Sequence, residues 1–378
     1  MTLSIVLLIG AGLFVRSLIN LRNIDTGFHK ESVLVLGVDT ASIGYKEDAR
    51  LAELYQQVEQ RVSAVPGVRS SSFSMFTFNQ GHWSSRAYAL GQTPSPETER
   101  IQNNVVGPAF FTTMGLPMML GRALGPHDTE KSLKVAVINE TMAGRFFPNE
   151  SPIGRRFGLE LPEHSGDTEI VGVAKDAKYE NLREEPRAAA YYPYTQHFGY
   201  LGNFEVRFSG NLRGIVPEVR CAIGEVNRNV SITEVRTLAE QVDGSLVAQK
   251  LMARLSSFFG LLALLLASIG IYGVLWYAVA RRTSEVGLRM ALGAKASNVV
   301  WLVMGDVVAL VTVGLAIGVP AAVALERLVS TMLFGLTNVD AVSIATAVTV
   351  LVAVSGVAAY LPARRASRVD PMTALRYE

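Results

Sequence analysis

Three long stretches of the chain are almost free of charge. Leu255–Ala280 and Ala341–Ala363 contain no Asp, Glu, Lys or Arg, and Asn298–Leu325 contains one, Asp306. A helix needs about 20 apolar residues to cross the ~30 Å hydrocarbon core of a bilayer, and each stretch exceeds that. Backbone inside lipid has no water to bond with, so such segments must be helical or close into a barrel. At the other end, Leu3–Val15 is apolar but short. A secretory signal would need a basic start and a small-residue cleavage site, and the sequence offers neither. Residues 1–20 are therefore expected to form a first transmembrane helix, truncated at its cytoplasmic start.

Charge in the connecting segments orients the spans. Loop 281–297 carries Arg281, Arg282, Arg289 and Lys295, and the tail carries Arg364, Arg365, Arg368 and Arg376. Loop 326–340 has only Arg327, beside Glu326 and Asp340. Basic loops stay cytoplasmic, so loop 326–340 lies outside, and by parity the large segment 21–254 does too. Arg16 and Arg22 run against this, but long translocated domains follow the charge rule poorly. A net charge of +2 gives no reason to expect a nucleic-acid partner. The lone cysteine, Cys221, excludes an intrachain disulfide, and its place between Val219 and Ile223 reads as a small packed residue.

The external segment reads as an α+β domain. Val33–Val38 is an apolar run. Leu51, Leu54, Tyr55, Val58 and Val62 then fall at helical spacing, and Pro66-Gly67 breaks the chain before Val68–Phe73. The pattern returns as Phe204, Val206 and Phe208 in alternation, a stripe of Ile215, Val219, Ile223 and Val226, and the run Val230–Val235. Two βαβ-like units are thus expected to bracket an inserted subdomain at about 105–200. In the insertion, Lys134–Ile138 predicts a strand and Asn139 caps a short helix. Leu238–Ser257 has no proline and predicts one helix running into the first long span.

Catalytic patterns are missing. The histidines His29, His82, His127, His164 and His197 have no paired-ligand spacing, and there is no GxSxG or GxxxxGK[ST]. The carboxylate pairs Asp128/Glu130 and Asp167/Glu169 read as solvated turns, and Tyr191, Tyr192 and Tyr194 as packing. In the membrane half, Gly314 and Gly318 form a GxxxG that lets two helix backbones approach, within the chain or across a dimer. Asp306 reads as a structural residue facing protein or water.

The stretch from Arg281 to Ala294, RRTSEVGLRMALGA, resembles the R-x-x-E-[IV]-G-x-R-x-A-x-G-A motif of the MacB/FtsX-like permease family. Pro362 to Ser367, Asp370-Pro371 and Ala374-Leu375-Arg376 resemble that family's tail. Asn139-Glu140 to Phe147-Pro148, Ser151 to Arg156 and Ile170 to Val173 resemble its periplasmic core domain. The resemblance implies four transmembrane helices, at residues 1–20, 255–280, 298–325 and 341–363, with a periplasmic core domain over 21–254 and a permease domain over 255–378. It implies a permease subunit in a bacterial inner membrane, most similar to one half of a duplicated permease. Its partners would be a cytoplasmic ABC ATPase, a second copy or second permease half, membrane lipid, and a periplasmic adaptor or hydrolase. ATP and Mg would be bound by the ATPase and no cofactor by this chain. Export or extraction of a substrate is the implied work; a transmembrane signalling scaffold regulating a cell-wall hydrolase is the alternative.

Within the motif, Arg282, Glu285, Gly287, Arg289, Gly293 and Ala294 are the expected ATPase-coupling residues. At 100° per residue, Val286, Met290 and Gly293 share one side of a helix, with Leu288 and Leu292 opposite. Glu285 and Arg289 make a favourable (i, i+4) pair. Gly287 costs ~1 kcal/mol relative to Ala in a helix interior, which suits close packing from outside. Arg364, Arg365 and Arg368 belong to the cytoplasmic tail.

Overall fold

The computed structural model describes residues 1–91, 100–281, 296–329, 334–335 and 340–366. The chain divides into two compact units, Ile24–Ser245 and Met1–Asn23 with Leu246–Glu378. It starts with helix α1 (Thr2–Arg22) and then enters the larger unit. There it runs β1 (Val33–Asp39), α2 (Ala49–Ser63), β2 (Val68–Ser74), β3 (Trp83–Ala89) and β4 (Arg100–Val106). Next come α3 (Phe110–Met114), β5 (Met118–Gly121), β6 (Val135–Asn139), α4 (Glu140–Phe146), β7 (Arg156–Leu159) and β8 (Thr168–Ala174). The unit closes with β9 (Ala189–Pro193), β10 (Asn203–Phe208), α5 (Leu212–Val226), β11 (Ser231–Thr237) and α6 (Leu238–Gly244).

The two strand–helix–strand segments are not separate units. The strand order is β11-β1-β10-β2, each pair antiparallel. Each segment's crossover therefore straddles a strand of the other, giving one interlocked four-stranded sheet, a split βαβ arrangement. Leu51, Leu54, Tyr55 and Val58 of α2 and Ile215, Val219 and Ile223 of α5 bury against Leu34, Leu36, Phe73, Phe204 and Val206. Asp48 caps α2 by accepting from the Arg50 amide, and Asn211 caps α5 from the Arg213 amide. Cys221 is exposed, not packed. An i±2 offset on a helix turns a side chain roughly 200° away, so it leaves the stripe that Val219 and Ile223 define.

Six of the remaining strands form a closed ring, and β5 pairs with β8 outside it. β4 pairs β3, β3 pairs β7, β7 pairs β8, β8 pairs β6, β6 pairs β9, and β9 returns to β4. Closure removes the exposed strand edges that invite misassembly. Ile101, Ile138, Phe157, Ile170 and Tyr192 are buried together, with Met142 and Phe146 of α4 against them. Asn139 caps α4 as the pattern predicts, accepting from the Met142 amide, and also accepts from the Ala189 amide. The strands of the ring run from Trp83 to Pro193. Asp128 is not a solvated turn residue: it is buried and bonded to Arg122 at 2.7 Å and 2.8 Å.

The expected continuous helix from Leu238 into the first long span is broken. α6 ends at Gly244, and α7 (Val247–Arg281) starts afresh. Thr237 and Glu240 close a capping box at the start of α6, and the Ser245 hydroxyl bonds the Val242 carbonyl at 2.6 Å. That side-chain bond competes with the helical ladder just where Gly244 weakens it.

The smaller unit is a helix bundle of α1, α7, α8 (Ala296–Val329) and α9 (Ala341–Ala366). All four are long and apolar enough to cross a membrane. α1 packs against α7, α8 and α9, and α9 against α7 and α8. Ile5, Ile9 and Leu13 meet Leu264, Ala322 and Leu351, and a second cluster joins Ile271, Val307, Val311 and Ala359. Phe258, Leu265, Ile269 and Trp276 of α7 stay exposed, as a lipid-facing surface requires. Arg16 of α1 pairs with Asp340, which also takes the Ser343 hydroxyl at the start of α9. Ser17 accepts from the Phe334 amide at 2.8 Å, and Asn20 donates to the Gly335 carbonyl at 3.0 Å. Arg16 thus carries a charge cancelled by a carboxylate, which explains its place against the charge rule. Asp340→Ala should destabilise the bundle by about 1 kcal/mol, measured as the midpoint of detergent-induced unfolding.

Candidate functional site

Two places hold the features from which function can be argued: the seam between α1 and α8, and the joint of the larger unit. At the seam, Gly314 and Gly318 face α1. A Cβ on Gly318 would fall 2.1 Å from Cγ2 of Ile5 and 3.3 Å from the carbonyl oxygen of Thr2. One on Gly314 would fall 2.6 Å from Cβ of Met1. Within the chain, the two glycines leave room for α1 to approach α8 closely. Asp306 of α8 borders a groove lined also by Ser4 of α1 and Gly270 and Val274 of α7.

In the larger unit, β2 of the interlocked sheet meets β4 of the ring at Ser74 opposite Val106, where the Met75 amide donates to the Val105 carbonyl at 2.9 Å and the Gly107 amide to the Phe73 carbonyl at 2.8 Å. Around it lies a polar joint. The Glu59 carboxyl on α2 accepts from the Phe73 amide at 3.0 Å and from the Tyr194 hydroxyl at 2.9 Å, so it ties α2 to β2 and to the residue after β9. A Cβ at Gly107 would fall 2.3 Å from Oε1 of Glu59, so only glycine leaves room there. On the other face of the sheet, Glu205 of β10 is fully buried and accepts from the Ser74 hydroxyl at 2.5 Å. Its Oε2, Oδ1 of Asn203 and Oε1 of Gln241 have no partner among the described residues.

Burial moves both carboxyl groups towards the neutral acid. Desolvation raises Glu59 to about 7 against the bonds from Phe73 and Tyr194, and raises Glu205 to about 8, with the charge of Glu59 adding to it. Asn104 bonds Phe76 from both ends of its amide, at 2.8 Å and 3.1 Å, and Gln241 bonds the Phe78 carbonyl. Apolar packing crosses the same joint: Val105 and Tyr194 are buried in one cluster with Tyr55, Phe73 and Phe204. Sequence reading missed Glu205 because Phe204-Glu205-Val206 alternates like a strand with one wet face. Both faces of this sheet are covered.

The expected coupling residues Arg282, Glu285, Gly287, Arg289, Gly293 and Ala294, and the tail residue Arg368, lie outside the described residues. Arg364 is exposed near the end of α9, and Arg365 is in the same helix. Tyr191, Tyr192 and Tyr194 are buried in the packing that was expected of them.

Residues 1–242 match the MacB-like periplasmic core domain, and residues 257–371 match the FtsX-like permease C-terminal family. A protein of Mannheimia succiniciproducens named macrolide export ATP-binding/permease protein MacB is 22% identical over 284 residues, 72% of this chain and 43% of the relative. Its namesake in Syntrophobacter fumaroxidans is 35% identical over 144 residues, 38% of this chain and 20% of that one. The chain thus spans less than half the length of these curated relatives. The periplasmic region of MacB from Actinobacillus actinomycetemcomitans superposes with a TM-score of 0.40 at 15% identity, covering 58% of this chain and 94% of that one.

Proposed function

Because the chain belongs to the MacB/FtsX-like family of ABC permeases, we propose that it is the membrane-spanning subunit of an ATP-driven system in the bacterial inner membrane, its larger unit working in the periplasm. The observation that carries this is the order of its parts: the core-domain match, then the permease match, with helices fit to span a bilayer on both sides of the larger unit. Residues 1–378 hold no GxxxxGK[ST], and in this reading ATP and Mg are bound by a cytoplasmic ATPase outside these residues. Hydrolysis there drives the basic stretch that contains Glu285 and Arg289, and the bundle passes the movement outward. Export or extraction of a substrate is the work this arrangement suits.

The test is affinity purification of the full chain from detergent. Wild-type protein should bring an ATPase with it. Glu285→Lys should retain at least tenfold less ATPase, about 1.4 kcal/mol or more, at unchanged membrane yield. Undiminished ATPase and ATP-dependent activity in that variant would remove the coupling role from Glu285.

A further inference from the structure

At one margin of the larger unit, the stretch Ile24–Ser32 lies along β2 and β10 and leaves a cleft of about 680 Å³. His29 and Lys30 line it from the stretch, Arg69 from β2 and Arg207 from β10. The stretch is firmly seated. Phe28 is buried edge-on to Phe78 at 6.0 Å between ring centroids, and the His29 amide donates to the Met114 carbonyl at 2.9 Å. Gly27 takes a φ of +83°, and a Cβ there would fall 2.1 Å from the Asp176 carbonyl oxygen. Only glycine permits that approach.

The charges in the cleft do not cancel. Arg207 donates from Nε to the Thr113 carbonyl at 2.8 Å and more loosely from Nη2 to the His29 carbonyl at 3.4 Å. Both acceptors are neutral backbone, so they orient the guanidinium without neutralising it. Arg69 is close enough to act on it, since Arg207 lies in register with Ser70 on the neighbouring strand. Burial, and then the like charge of Arg69, lower the Arg207 pKa, yet arginine stays protonated. Among the described residues, neither arginine has an ion-pair partner. Asp25, on the same wall, is engaged elsewhere: it accepts from Lys175 Nζ at 2.7 Å and from the Gly27 amide at 2.9 Å. Glu31 is the other carboxylate on the walls, and it is exposed.

Two like charges held side by side repel unless an anion stands between them. A planar carboxylate fits one guanidinium fork; a tetrahedral oxyanion presents oxygens to both. We propose that the Arg69–Arg207 cleft binds a phosphate-type oxyanion. Free phosphate and the headgroup of an anionic phospholipid share that chemistry. The lipid is a candidate because the cleft wall begins at Ile24, directly after the Asn23 that follows α1.

The test uses the full chain in two arms. In the first, protein in nanodiscs of phosphatidylcholine alone is titrated with inorganic phosphate at constant ionic strength and followed by phosphorus NMR line width. In the second, protein in nanodiscs of equal phosphatidylglycerol and phosphatidylcholine is released into a native mass spectrometer and its retained lipid counted. Arg69→Gln should weaken binding about tenfold in at least one arm, the loss expected for one charge-assisted bond. A drop in the first arm identifies free phosphate, and a drop in the second the lipid. Arg50→Gln, which removes an exposed cation bonded to Asp48, should change neither. Arg207→Gln should match Arg69→Gln if it folds; Arg69 is exposed, so its variant decides alone if Arg207→Gln does not. No binding by the wild type, or binding unaltered by Arg69→Gln in both arms, overturns the proposal.

Discussion

Glu205→Gln should make the larger unit's stability fall less as pH rises towards 8. The wild-type carboxyl is fully buried, and its pKa is raised by desolvation to about 8 in the folded state. In the unfolded chain it titrates near 4.5. Folding therefore favours the protonated acid. The contribution of this group is complete below about pH 4.5 and is lost as pH rises to about 8. Each unit of that interval is worth about 1.4 kcal/mol, so the loss is on the order of a few kcal/mol. Glutamine keeps the shape and stays neutral throughout. Its unfolding midpoint should fall clearly less than that of the wild type from pH 5 to 8. Two groups set the slope that remains: Glu59, whose folded value of about 7 gives the same sign over a narrower window, and His197, lowered by burial to about 4, which opposes it between about pH 4 and 6.5. Thermal unfolding of the full chain in detergent, read by Trp83 fluorescence with Trp276 and Trp301 replaced by Phe, makes the measurement. Parallel curves for wild type and variant would refute it.

Gly318→Val should cost the bundle roughly 3 kcal/mol. The new Cβ would overlap Cγ2 of Ile5, itself wholly buried, and press on the Thr2 backbone. A side chain that cannot turn aside and a backbone that cannot shrink leave separation of α1 from α8 as the only relief. Gly356→Val is the control, because nothing lies within 4 Å of the position its Cβ would take. Denaturation in mixed micelles should show an early transition for the first variant and a wild-type one for the second. Equal midpoints would mean that α1 and α8 are held together by something other than this seam.

Local features were legible in the sequence. The stripe of Leu51, Leu54, Tyr55 and Val58 located α2, and the charge-free runs located helices long enough to span a bilayer. Asn139 announced its cap. These signals come from a residue's relation to its near neighbours in the chain. Pairing across the chain is different: nothing in Val33–Val38 says that its partners are residues 203–207 and 231–237. The interlocking of the sheet and the closure of the ring were invisible for that reason. Glu205 was missed because alternation reports one dry face and says nothing of what covers the other. The break after Gly244 was hidden by good helix formers on both sides, and only the buried Leu238 and Val242 show why α6 stays with the larger unit. In the membrane half, two glycines at the right spacing indicated a close approach but not the helix approached.

The interlocked sheet also sets an order of events during synthesis. β1 and β2 are made first, but the strand that separates them, β10, begins only at Asn203. Until it arrives, β1 and β2 each carry an unpaired edge, which is an aggregation hazard. The ring lies entirely in the intervening sequence, and all its strands are complete by Pro193. It is thus able to assemble while the first two strands wait. Closing the loop from β2 to β10 carries an entropic cost that grows slowly with length, so a preformed ring shortens the effective loop and speeds the final docking. The early strands thus stay incomplete until nearly the whole of the larger unit has been made.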